Sequence, residues 1–264
     1  YGFYWYFYQD GSLQLEVKLT GIVNTTALKP GETSDFGTEI APQLNAPYHQ
    51  HVFNARLDMN VDGQQNSVVE MNTNSVEMGH ENPHGNAFKP DSRVFKRELD
   101  AQRLCDSSSS RYWKITNNHN KNMLGEPVSY RLIPGENAIT YANDKSAVMK
   151  RAGFMKKHLW VTPYEADERF AAGDYPNQRK GGDGLPEWTE KNRSISDEDI
   201  IVWYTFGHTH IPRPEDWPVM PVHKIGFMLK PDGFFGSNPS LDVPPTAEIS
   251  MCCDDSCEEG CLCS

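Results

Sequence analysis

The stretch DIIVWYTFGHTH, residues 199–210, decides the fold class. Residues 199–207 form a nearly continuous apolar run, the pattern of a strand covered on both faces. At its end His208 and His210 flank Thr209. A histidine there lies beside the core, where a polar group needs a partner.

A second His-x-His stands far away in sequence, in YHQHVFNARLDMN, residues 48–60. Residues i and i+2 of a strand share a face, so His49 and His51 project together and Gln50 points the other way. Imidazole favours copper, zinc, iron and nickel. A lone His-x-His fits an exposed strand as well as a metal, and a second pair at another strand end strengthens the metal reading. Spacing does not choose between His208 and His210. His80, His84, His119, His158 and His223 read as surface residues. Downstream, Asp58, Asn60 and Asp62 share one face. They fit either a hard, calcium-like environment or a solvated strand entering a turn at Asp62-Gly63.

Working outward, YGFYWYFYQDGSLQLEVKLTGIV (residues 1–23) predicts a hairpin. Phe3, Trp5 and Phe7 alternate with tyrosines, Gln9-Asp10-Gly11 supplies the turn, and Leu13, Leu15, Val17 and Leu19 alternate in the return strand. Strands are expected at 48–57, 67–71, 112–115, 129–133 and 157–162, and again in KIGFMLKPDGFFG. Residues 25–45 and 79–90 read as loops, and 166–173 as a short helix. Residues 94–105 fit either a helix or an extended segment. The four prolines of HIPRPEDWPVMPV exclude a central strand. Many strands, few helices and ordered loops predict a large antiparallel β-sandwich over residues 1–245.

The chain has 264 residues and a net charge of −11. Nucleic acid requires a basic footprint, so an acidic chain is a poor binder. Acidity is compatible with steering a cationic ligand and is also a common solubility device. No run of eighteen apolar residues predicts a membrane span. Cys105 stands alone, and five cysteines crowd residues 252–263. A nearly cysteine-free body differs from a secreted disulfide scaffold and favours an intracellular protein, in the cytoplasm or peroxisome. The terminal LCS is not a peroxisomal Ser-Lys-Leu signal. Residues 246–264 read as a flexible tail, with thiols suited to soft ions such as Cu(I). No P-loop, dinucleotide fingerprint or nucleophile elbow is visible.

Several segments together resemble the catalytic domain of the copper-containing, topaquinone-dependent amine oxidases. These are FYWYFYQDGSLQLEVKLTGIVNT, HQHVFNARLDMNVDG, HLWVTPYEADERFAAGDYPNQ, and THIPRPEDWPVMPV with the later KPDGFF. The resemblance implies a β-sandwich catalytic domain and Cu(II) on His49, His51 and His210. It selects His210 by its place before RPEDWP, and puts Met220 near the copper. It also implies a second, calcium-like Ca(II) site built from the side chains of Asp58, Asn60 and Asp199 and the carbonyls of Met59 and Ile200. Asn60 stands where many members carry Asp, which removes one negative charge. The implied activity converts a primary amine and dioxygen to aldehyde, ammonia and hydrogen peroxide in a homodimer. The cofactor tyrosine and the catalytic aspartate are expected before Tyr1, so no catalytic residue is assigned within the chain, which reads as the C-terminal part of a longer polypeptide. The alternatives are a non-catalytic metal-binding β-sandwich, or another histidine-based metalloenzyme such as a cupin-like oxygenase.

Overall fold

A computed structural model describes residues 1–245, and the cysteine-rich stretch lies outside the described residues. Thirteen strands follow in order: β1 Gly2–Phe7, β2 Leu13–Ile22, β3 Thr26–Ala27, β4 Gly37–Ala41, β5 Leu44–Pro47, β6 His49–Met59, β7 Ser67–Ser75, β8 Phe88–Val94, β9 Tyr112–Lys121, β10 Pro127–Pro134, β11 Leu159–Pro163, β12 Ile200–His210 and β13 Val219–Asp232. Two five-residue helices, α1 Ala147–Arg151 and α2 Leu185–Thr189, are the only α-helices among the described residues. One sheet has the order β1-β2-β13-β10-β9-β7-β8, a second β11-β12-β6, and a small third β3-β5-β4.

The first two sheets form the sandwich. From the large sheet Leu15, Val17, Trp113, Leu132, Ile225 and Phe227 enter the core. From the smaller one Leu57, Leu159, Ile200, Val202, Tyr204 and Phe206 meet them. The alternation is strict along β12. Its even-numbered apolar residues face this core, while Ile201 and Trp203 pack outward against Trp160, Leu185 and Trp188. The continuous apolar run at 199–207 thus has its physical reason: α2 and its flanking turns cover the outer face of a strand whose inner face is already core.

The predicted 1–23 hairpin forms, with Phe3 opposite Val17, Trp5 opposite Leu15 and Phe7 opposite Leu13. The strands expected at 48–57, 67–71, 112–115, 129–133 and 157–162 all form, most of them longer than predicted. Three local expectations are corrected. Residues 25–45 are not a loop throughout: β3, β4 and the first half of β5 lie there. Strands this short show no alternation, and their register rests on the buried Val23, Ile40 and Ala46. Residues 166–173 are turns, not a helix. A single turn of helix is marginal by itself. Here Glu168 is drawn to Arg193 at 2.9 Å, Ala171 is buried beside Trp160, and Gly173 turns with φ of 71°. The loop predicted at 79–90 ends in an edge strand, β8, whose Lys89, Pro90, Asp91 and Arg93 blunt the open edge. Within 94–105 only Glu98–Ala101 winds, as one 3-10 turn.

Candidate metal site

β6 and β12 pair antiparallel with His49 opposite His210 and His51 opposite His208. Opposed residues share a face, so four imidazoles stand together at one end of the smaller sheet. Gln50 points the other way, as alternation requires, and bonds the Ile139 carbonyl and the Thr209 hydroxyl, each at 2.8 Å. The strands run close here. A Cβ on Gly207 would sit 2.5 Å from the His51 carbonyl oxygen, so only glycine allows this approach.

Of the four imidazoles, His49, His51 and His210 each offer one ring nitrogen within 4.8 Å of the other two. Their ring tautomers follow from their partners. His49 Nδ1 lies 2.9 Å from the Pro47 carbonyl oxygen. A carbonyl only accepts, so Nδ1 carries the proton and Nε2 is bare. His210 Nε2 lies 3.0 Å from Asp216 Oδ2. An ionised carboxylate also only accepts, which leaves His210 Nδ1 bare. These two lone pairs face each other across 3.3 Å. Two neutral acceptors repel unless a cation or a proton lies between them. Nitrogens each about 2.0–2.1 Å from one ion lie about 2.8–3.4 Å apart, from right-angled to tetrahedral geometry. The observed spacing therefore fits a shared metal ion.

Asp216 is buried on the 3-10 turn Pro214–Asp216. Burial raises its carboxyl, but hydrogen bonds from His210 and from the Arg213 backbone N–H outweigh this and hold it below its ordinary value. It orients His210 from the side opposite the bare Nδ1. His51 is pushed down to about 4, first by burial and then by the neighbouring imidazoles, so it stands neutral and able to ligate near pH 7. Its Nδ1 is 2.8 Å from the Tyr1 hydroxyl. The site opens into a cavity of about 580 Å3, also lined by Met220. Met220 packs against Val23, Ile40 and Ala46 as well.

Asp58 and Asn60 share a face, and the register carries that face to Asp199, beside the Met59–Ile200 pair. Asp58 is half-exposed and 3.6 Å from Arg56. The Asn60 side-chain oxygen accepts from the Gly63 N–H at 3.0 Å, and the Asp199 carbonyl from the Tyr164 N–H at 2.7 Å.

Sequence reasoning missed three residues here. Asp216 lay unremarked inside EDWP, where the spacing of six from His210 was the available signal. Tyr1 was assigned no contact with the histidines. His223, read as a surface residue, meets His208 and Glu136 instead. His158, also read as a surface residue, is buried, with Nδ1 accepting from the Cys105 N–H and Nε2 donating to the Ala138 carbonyl.

The family model of the copper amine oxidase enzyme domain matches residues 1–250. The chain belongs to the copper amine oxidase family. A copper-containing diamine oxidase of Nicotiana tabacum is 48% identical over 250 residues, covering 93% of this chain and 32% of its own length. The histamine oxidase of Arthrobacter globiformis is 49% identical over 247 residues, 94% of this chain and 36% of its own. The crystal structure of a copper-containing benzylamine oxidase from Hansenula polymorpha superposes with a TM-score of 0.86 at 34% identity, covering 92% of this chain and 38% of that one. The chain thus spans about a third of the length of the relatives it matches. Family membership replaces the cupin-like alternative, and the antiparallel sandwich agrees with the fold expected from the strand pattern.

Proposed function

We propose that the intact protein oxidises primary amines with dioxygen, giving aldehyde, ammonia and hydrogen peroxide, and that His49, His51 and His210 of this chain hold its Cu(II). The observation that carries the assignment is the pair of bare nitrogens, His49 Nε2 and His210 Nδ1, facing each other at 3.3 Å. Copper and topaquinone, when bound, would supply the two-electron redox chemistry between amine and dioxygen.

The chain's own residues prepare that site. The Pro47 carbonyl and the Asp216 carboxylate fix the tautomers of His49 and His210, so each presents a lone pair without rearrangement. Burial keeps His51 neutral, so no proton need leave it near pH 7 when an ion arrives. Leu19 and Ile22 join the histidines in lining the cavity, giving a mixed polar and apolar wall for a small substrate.

The test is His210→Ala in the intact protein. Bound copper and quinone absorbance should both disappear. Normal quinone absorbance in that variant refutes the assignment.

The calcium-like site is proposed on the shared face of Asp58, Asn60 and Asp199, with the carbonyls of Met59 and Ile200. The strand register supports it, and calorimetric titration with Ca(II) in wild type and Asp199→Asn tests it. A homodimer is proposed on the family resemblance, with native mass as the check. An intracellular location is proposed because the tobacco relative is named as peroxisomal. Among the described residues no helix is long and apolar enough to cross a membrane.

A further inference from the structure

We propose that Glu136, His208 and His223 bind a second divalent transition-metal ion, of the zinc class, beside the three-histidine site. Three separate elements bring them together. Glu136 sits just past β10, His208 near the end of β12, and His223 on β13 immediately after the irregularity between Met220 and His223. A bulge of this kind re-aims a side chain, and here His223 meets His208 with ring centroids 3.7 Å apart. Glu136 Oε1 stands 3.0 Å from His208 Nδ1 and 3.0 Å from His223 Nε2. The three candidate ligand atoms all lie within 4.8 Å of one another.

Two imidazoles and one carboxylate form the donor set of open zinc sites, where three protein ligands leave a fourth position for water or substrate. Imidazole selects against magnesium and calcium, and the absence of sulfur among the donors selects against Cu(I). Glu136 is half-exposed while His208 is mostly covered, so an ion has an entry path and two of its ligands are held by strands. The carboxylate also supplies the negative charge that the three-histidine cluster lacks. His208 lies opposite His51 in register, which puts the two sites side by side on one sheet face. Two dications so placed repel, so an ion at the three-histidine site weakens binding of the second.

Without an ion, the same three residues make two N–H donations to one carboxylate oxygen, and the experiment must separate these states. The intact protein is loaded with copper, equilibrated with Zn(II), and its metal content measured per chain while copper paramagnetic resonance monitors the first site. The expected result is one further zinc ion with the copper signal unchanged. Glu136→Gln and His223→Asn each lose that zinc and keep the copper. His210→Ala loses copper and keeps the zinc, so failure of the copper assignment stays distinguishable from failure of this one. The proposal is overturned if the copper-loaded wild type takes up no zinc, or if both variants bind zinc as tightly as wild type.

Discussion

Asp216→Asn probes whether His210 is a ligand oriented from behind. Asp216 Oδ2 accepts two hydrogen bonds, from His210 Nε2 and from the Arg213 N–H, each at 3.0 Å. An asparagine oxygen in the same place keeps both bonds but makes them neutral. Hydrogen bonds to charged groups contribute about 1.5–3 kcal/mol and neutral ones about 0.5–1.5, so the His210 bond weakens by about 1–1.5 kcal/mol. That corresponds to a copper affinity on the order of tenfold lower. Asp216→Ala removes the acceptor and frees the ring, and the loss should approach the upper end of the 10–100-fold range typical of such partners. The assay is competition for Cu(II) against a chelator at fixed pH, with melting of the copper-free protein run in parallel to show that each variant folds. The expected order is wild type, Asn, then Ala. If both variants fold and bind copper within about twofold of wild type, Asp216 does not orient a ligand, and the tautomer argument for His210 fails with it.

Two further outcomes follow from buried charge. Arg193 holds Glu98, which is fully buried, and Glu168, which is nearly so, with contacts of 2.6 and 2.9 Å. Arg193→Ala strands Glu98 and leaves Glu168 with Lys191 at 3.5 Å, and should cost about 3–5 kcal/mol, lowering the melting temperature by on the order of 10 °C; thermal unfolding measures it. Burial raises the Glu70 carboxyl, but Arg103, Asn72 and Arg111 outweigh this and hold it below its ordinary 4.5. The stabilisation is therefore fully present above that value and lost as pH falls through the depressed folded one. Glu70→Gln should destabilise the protein at neutral pH and flatten the acid limb of its stability curve, as read by urea unfolding from pH 3 to 7.

The fold was legible wherever one strand carried its own signal. The alternation in 1–23 and the apolar run at 199–207 are local patterns, and both became the expected strands. Short elements failed: the two- to five-residue strands that begin within 25–45, and the turns at 166–173, are too short for a period to show, and tertiary contacts at Ile40, Glu168 and Ala171 decided them.

The site divides the same way. The sequence by itself determined that His49 and His51 share a face, as do His208 and His210, because strand periodicity is a property of the backbone. Only the tertiary structure decided that His49 stands opposite His210 across 161 residues of chain. It alone assigned Asp216 to His210, and Glu136 and His223 to His208. Register between distant strands is set by which side chains the core accepts. No local pattern encodes it, and the metal-ligating geometry depends on it.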